Sequence, residues 1–248
     1  MTAPLYERIG RHYTDSRRAD PRIQRLIEAA LADAHSIVNV GAGAGAYEPA
    51  GTDLVAVEPS AQMRAQRPGG AAPCLAAAAE SLPLADDSVD VAMAIYTDFH
   101  WRDRRRGIAE MLRVSRRGIV ILTVDADIAA RFWLPRDYLP SGRHLFAPLP
   151  AVTSLLPGAP VVTPVPVPHD CRDGFVHAFW RRPDALLDPD VRRGMAMFAR
   201  APEAERTAGL ARLAADIADG TWARRNAELA GRTSLDLGHR LVVWRPAA

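Results

Sequence analysis

Lysine is missing from all 248 residues, and the 31 basic side chains are all arginine. That excludes a phosphate-loop lysine, a Schiff-base lysine and a tyrosine–lysine proton relay. Cysteine is nearly as scarce. Cys74 and Cys171 are too few for a four-thiolate zinc site, no disulfide framework is implied, and nothing calls for a metal. Long apolar runs are lacking too. The longest uncharged stretch, Leu145 to His169, carries seven prolines and cannot cross a bilayer as a continuous helix. Met1 to Arg18 has charges throughout and no apolar run, unlike a signal peptide. Charge of one sign is also wanting: 31 basic and 29 acidic residues leave a net +2, which argues against a nucleic-acid partner. The expectation is a cytoplasmic protein, monomer or homodimer, with no membrane and no nucleic acid.

What is present is enough apolar material, 48% of the chain, for one α/β domain with an elaboration. Residues 1–35 read as helical. Asp20 and Pro21 make a good cap and first-turn pair, and Ile23, Leu26, Ile27 and Leu31 fall on one face. Strands are expected at 36–40, 53–57, 71–75, 89–95 and 119–124, with a helix carrying Ile108, Met111 and Leu112 before the last. Continuous apolar strands alternating with helices imply a parallel sheet covered on both faces. Beyond Asp125 come a helical stretch (126–139), a proline-rich loop, a strand at 161–167, a helical block over about 172–230 and a final strand at 241–244. In that block Leu210, Leu213, Ala214 and Ile217 share a face, and Gly220 lies past its end.

Val40-Gly41-Ala42-Gly43-Ala44-Gly45-Ala46 is the most informative segment. Glycines straight after a strand let the backbone turn tightly and approach a ligand where a Cβ would collide. Gly41, Gly43 and Ala46 satisfy a dinucleotide fingerprint, which keeps a nicotinamide-dependent oxidoreductase open. Gly41, Gly43 and Gly45 fit the loop used for S-adenosylmethionine, and a tight turn without ligand has the same spacing. Glu58, seventeen positions beyond Gly41 and ending the second strand, can accept both hydroxyls of an adenosine ribose.

The loop, then Val57-Glu58-Pro59-Ser60 with Met63, then Ala79-Glu80-Ser81-Leu82-Pro83 through Asp90, resemble the successive motifs of class I S-adenosylmethionine-dependent methyltransferases. The likeness is greatest to the small-molecule branch (methyltransferase type 11) that includes the ubiquinone and menaquinone methyltransferases. Phe99-His100-Trp101-Arg102-Asp103 and Glu110-Met111-Leu112-Arg113-Val114 resemble later segments of that branch, so the likeness covers about residues 6–125. Pro168-His169-Asp170-Cys171, Ala178-Phe179-Trp180-Arg181-Arg182-Pro183 and Asp236-Leu237-Gly238-His239-Arg240 are similar to uncharacterised bacterial methyltransferases associated with antibiotic biosynthesis.

The resemblance implies a Rossmann-like doubly wound seven-stranded sheet, its last strand antiparallel, with a helical insertion (about 172–232) before that strand. Residues 1–35 would be a lid segment, 36–125 the cofactor core and 126–248 the rest of the sheet with the acceptor-binding insertion. It implies transfer of a methyl group from S-adenosylmethionine to a small-molecule acceptor, in line. Gly41, Ala42, Gly43 and Gly45 would face the methionine portion and Glu58 the ribose. Pro59, Ser60 and Met63 would edge the adenine, with Ala79 and Glu80 on its far side and Tyr96 near the sulfonium. Tyr13 and Arg17 match a lid motif whose arginine meets the methionine carboxylate, a pairing guanidinium geometry suits. Asn39 stands where the family usually has an acid and keeps a hydrogen bond to the ligand's ammonium without the charge; Ala78 replaces another acid. A base is needed only if the acceptor carries a proton, and His100 and His169 are the candidates. Trp101, Trp133, Tyr138 and Trp180 are candidates for the acceptor wall. A methyltransferase-like fold kept for binding alone is the remaining alternative.

Overall fold

The computed structural model describes residues 13–31 and 33–246. The reading of residues 1–12 as helical lies outside the described residues.

Five parallel strands form the first part of a seven-stranded sheet: β1 (Ser36–Val40), β2 (Asp53–Val57), β3 (Cys74–Leu75), β4 (Val89–Ile95) and β5 (Ser115–Val124). β6 (Val161–Pro164) lies at the far edge, and β9 (His239–Trp244) is inserted antiparallel between β5 and β6, giving the order β3-β2-β1-β4-β5-β9-β6. The expected sheet, with its antiparallel last strand, is present. The strand read over 161–167 divides: after Pro164 and Pro166 the chain leaves the sheet, and β7 (Val167–Pro168) pairs instead with β8 (Ser234–Leu235). Prolines cannot donate to a ladder, which is why the break falls there.

Both faces of the sheet are covered. On one face α2 (Pro21–Leu31) buries Ile23, Ile27 and Leu31 over Ile37, Val91 and Met93. Its start is capped as the Asp-Pro pair predicts, with the Asp20 carboxylate accepting from the Arg22 amide at 3.0 Å. Leu26, expected inward, is 39% exposed, because the i, i+4, i+8 row alone is narrow enough to meet the sheet here. On the other face α4 (Arg104–Val114) buries Ile108, Met111 and Val114 over Val38, Val40, Ala92 and Ala94. Two short helices accompany them, α1 (Tyr13–Ser16) before α2 and α3 (Ala61–Arg64) after β2.

The helical stretch read over 126–139 is two short pieces, Ala126–Ala129 and Leu134–Tyr138, with Pro135 in the second. The block over 172–230 is likewise broken. Pro183, Pro189, Pro202 and Gly194 cut it into single turns, and the one long helix is α5 (Glu203–Ala218), ended by Gly220 at φ +76°. Its buried face runs through Gly209 and Leu213. Ala214, expected inward, is exposed, since α5 packs by pressing Gly209 onto the Tyr138 carbonyl, 2.3 Å from where a Cβ would stand. No helix among the described residues is long and apolar enough to cross a membrane.

Candidate functional site

The strand order reverses between β1 and β4, so the loops after β1, β2 and β4 open a crevice at the carboxyl ends of the strands, where open α/β sheets bind ligands. A pocket of 580 Å³ occupies it. The loop after β1 is pinned to β2 by the amides of Gly41 and Ala42, both donating to the Val57 carbonyl at 2.8 and 3.0 Å. Gly41 has φ +70°, and a Cβ there would stand 2.0 Å from Thr97 Oγ1, so only glycine lets the loop lie against the end of β4.

Glu58 faces this loop from the end of β2. Its Oε2 accepts from the Gly43 amide at 2.9 Å and its Oε1 from the Ser60 amide at 2.8 Å, so the carboxylate is held in one orientation with further lone pairs to spare. Burial raises its pKa, and those two amides offset part of the rise. Ser60 caps α3 through its Oγ, accepting from Met63 N at 3.2 Å, and Met63 projects beside Gly43.

Of the residues read from the sequence, Tyr13, Arg17, Gly41, Ala42, Gly43, Glu58, Pro59, Ser60, Met63, Ala79, Glu80, Tyr96, His100 and Trp101 all border this pocket. Asn39 and Gly45 do not. The Asn39 amide points to the α2 side of the sheet and donates to Glu48 Oε1 at 3.0 Å, and Glu48 is clamped by both Nη atoms of Arg67. His169 borders neither this pocket nor the smaller cavity beside it; it lies in the β7–β8 hairpin, 3.4 Å from Asp170. Trp133, Tyr138 and Trp180 are core: the Trp133 indole donates to the Trp180 carbonyl, Trp180 to Val167, and the Tyr138 hydroxyl to Asp216.

Arg17 borders both this pocket and the smaller cavity beside it. It donates to Asp173 through Nε and Nη2 and to the Tyr13 hydroxyl through Nη1 at 2.7 Å, and Tyr47 donates to the same carboxylate at 2.9 Å. Tyr96, next after β4, takes the left-handed conformation at φ +54° and directs its hydroxyl to His239 Nδ1 at 2.6 Å. His239 Nε2 in turn meets His177 Nδ1 at 2.9 Å. His100 sits 3.5 Å from Arg200 Nη2, and burial with the Arg200 and Arg17 charges lowers its pKa.

The sequence reading passed over Tyr47, Thr97, Arg102 and Arg200 as pocket residues, and His177 with His239 as a buried pair. Thr97 follows Tyr96 directly and was within reach of the strand assignment. His177 and His239 are 62 residues apart, and no spacing rule joins them. Among the described residues no group of three or more His, Cys, Asp or Glu side chains could hold a metal ion.

Comparison with known proteins agrees with this geometry. Residues 38–122 match the family model for a methyltransferase domain. A solved structure from Anabaena variabilis, a candidate methyltransferase from an antibiotic biosynthesis pathway, superimposes with a TM-score of 0.85 at 34% identity, covering 92% of this chain and 98% of that one. An uncharacterised methyltransferase of Mycobacterium tuberculosis is 39% identical over 95 residues, and the match spans 35% of this chain and 38% of that relative's length. A SAM-dependent methyltransferase structure from Thermotoga maritima, at 22% identity and a TM-score of 0.51 over 65% of this chain and 84% of that one, shares the fold. The protein is a Rossmann-like enzyme with a crevice of 580 Å³ at its switch point. It belongs to the class I S-adenosylmethionine-dependent methyltransferases.

Proposed function

We propose that the protein transfers a methyl group from S-adenosylmethionine to a small-molecule acceptor in secondary metabolism. The observation that carries this is the pairing of a glycine-rich loop with a fixed carboxylate across one pocket, Gly43 N to Glu58 Oε2 at 2.9 Å. The residues present fit the cofactor. At Gly41 and Gly43 the bare backbone gives the close approach that a methionine chain needs, and the spare lone pairs of Glu58 suit a ribose diol. Met63 and Ala79 supply apolar contact for a flat base, with Pro59 and Glu80 beside them. We assign Arg17 and Tyr13, which border the pocket, to the methionine end and Tyr96 to the sulfonium.

When bound, this cofactor supplies a methyl group on a cationic sulfur, which the acceptor's nucleophilic atom displaces in line. The protein's share is alignment and exclusion of water, which contribute most to lowering the barrier of such a transfer. The lid segment before α2 and the insertion over 172–232 are the parts we assign to covering the site. We assign His100, which borders the pocket, to accepting a proton from an acceptor that carries one, a role in which burial and the Arg200 and Arg17 charges make it a weak base. We leave His169 out of the site because it borders neither cavity. The same reading takes the enzyme to be cytoplasmic, and a monomer or homodimer that does not act on nucleic acid, in keeping with a net charge of +2.

Calorimetry tests it. S-adenosylmethionine and S-adenosylhomocysteine are expected to bind and NAD is not; tight binding of NAD with neither of the others would overturn the proposal.

A further inference from the structure

The large pocket carries three guanidinium groups on its lining, Arg17, Arg102 and Arg200, against two carboxylates, Glu58 and Glu80. Arg17 is engaged by Asp173, and Glu58 by the amides of Gly43 and Ser60. Glu80 Oε1 accepts from the amides of Arg102 and Asp103 at 2.7 and 3.1 Å, so Arg102 and Glu80 share one part of the rim. Arg200 stands apart from them. It closes the single turn Ala196–Arg200 of the insertion and joins no ion pair among the described residues. Its side-chain contact is the long hydrogen bond from Nη2 to His100 Nδ1, at 3.5 Å.

That contact also bears on the chemistry. For the guanidinium to donate, Nδ1 must present its lone pair, the same lone pair that a base would use. Burial, then the Arg200 and Arg17 charges, push His100 down to about 3. It is the one histidine on the pocket lining among the described residues. The row of hydrogen bonds from Tyr96 through His239 to His177 offers no base either. Burial pushes His177 down to about 3 and His239 well below its usual range. The chain has no lysine to take the part. The corner between His100 and Arg200 therefore has positive charge, no carboxylate of its own and no competent base.

We propose that the acceptor presents a carboxylate to this corner, that one of its oxygens takes the methyl group, and that Arg200 supplies the counter-charge. A carboxylate is already ionised at neutral pH and needs no base, so the role assigned to His100 applies only to acceptors that carry a proton. The oxygen forms the new O–CH3 bond, the S–CH3 bond breaks with its electron pair left on sulfur, and no proton moves. The product is a methyl ester. A guanidinium fork suits a carboxylate, and a cleft lined by one sign of charge draws in the opposite sign. Resting on the methyl-transfer reading, the donor's sulfonium at Tyr96 would add a further positive charge for the acceptor to offset.

The test begins with NMR titrations of the full chain, saturated with S-adenosylhomocysteine, using acetate and benzoate against acetamide and benzamide. At least one carboxylate is expected to bind tenfold or more tighter than its amide and to move the His100 ring signals. Arg200→Met, a neutral side chain at an exposed position, should bring acid and amide within twofold. Amides that match both acids in the wild type overturn the proposal, as does a preference that survives Arg200→Met. The donor has a carboxylate of its own, so S-adenosylhomocysteine and 5′-methylthioadenosine, which lacks it, are compared on the same variant. A tenfold loss for the first and none for the second would mean that Arg200 holds the donor, and would overturn the proposal. Transfer is read with methyl-labelled S-adenosylmethionine and a panel of small carboxylic acids with their matched alcohols and amines. Label released as methanol by mild alkali, the mark of a methyl ester, is the expected result. Label in the alcohols or amines and not in the acids, or in none of them, overturns it. Failure of S-adenosylhomocysteine itself to bind removes the donor reading instead.

Discussion

Arg17 and Asp173, 156 residues apart, form a two-pronged ion pair that ties the segment ahead of α2 to the loop leading into His177. The Asp173 side chain is fully buried and that of Arg17 is 11% exposed, so neither charge is well hydrated without the other. Removing one partner from such a pair leaves a buried charge uncompensated, typically at about 3–5 kcal/mol. Tyr47 would still donate to Asp173, which favours the lower end of that range for Arg17→Ala. Urea unfolding of Arg17→Ala, Asp173→Ala and the double variant measures this. The double variant is expected to be less damaging than the sum of the singles, and simple additivity would show that the pair is not coupled.

The glycines of the loop are not equivalent. Gly41 and Gly45 both have positive φ, +70° and +92°, and a side chain at either carries about 1–3 kcal/mol of backbone strain. At Gly41 the added Cβ also meets Thr97 Oγ1 at 2.0 Å, whereas at Gly45 the nearest atoms are the side-chain ends of Arg67 and Glu48 at 3.2 Å, which can move. Gly41→Ala should therefore cost clearly more stability than Gly45→Ala and should also weaken S-adenosylhomocysteine binding. Equal losses in denaturant and in calorimetry would contradict the contact with Thr97.

The residues that were legible in sequence are those whose role is set by near neighbours. The loop follows β1 directly, Glu58 follows β2, and Tyr96 follows β4, so finding the strands found the site. The strands were plain because β1, β4 and most of β5 are buried on both faces and read as continuous apolar runs. What stayed hidden depends on long-range packing. Trp133 and Trp180 look like pocket aromatics until their indoles are seen to be hydrogen-bonded to backbone carbonyls in the core. His177 and His239 become partners only once β9 is inserted beside β5, which brings His239 opposite Val124. The break-up of the 172–230 block was visible in its prolines, but the apolar spacing outweighed them.

Glu58 should make donor binding depend on pH in a definite direction. Burial raises its pKa despite the amides of Ser60 and Gly43, so it takes up a proton at a higher pH than an ordinary glutamate. Only the ionised form accepts from both ribose hydroxyls without competition from its own proton. S-adenosylhomocysteine affinity should thus fall as pH drops toward that raised value, earlier than the usual range near 4.3. Glu58→Gln should bind more weakly by about 1.5–3 kcal/mol at neutral pH and lose this dependence. For stability the sign is reversed: a carboxyl whose folded pKa is raised favours the folded state in acid and loses that advantage as pH rises. Calorimetry from pH 5 to 8 on both proteins checks the first part, and a pH-independent wild type would place the ribose elsewhere.

The buried histidines set the acid limit of the fold. His177 is pushed down to about 3, and His239 falls well below its usual value through burial, the neighbouring His177 and the Arg240 and Arg17 charges. In the unfolded chain both titrate near 6.5. Above that value folded and unfolded chains hold the same protons at these sites, and the full stability is present. As pH falls below 6.5 the unfolded chain takes up protons that the folded chain refuses, and each histidine lowers stability by up to about 1.4 kcal/mol per pH unit. The loss continues until the folded-state values are reached. Below the ordinary carboxylate range Asp20 adds to it: although buried, its carboxyl is held low by Arg22 and by the Arg172 amide, so the folded state again resists protonation. Urea unfolding at pH 7, 6, 5 and 4 should show this slope in the wild type. In His177→Gln the slope between pH 6 and 4 should drop by about one proton's worth, even though the variant is less stable at pH 7. An unchanged slope would mean that His177 is protonated in the folded protein and that the row from Tyr96 carries a charge.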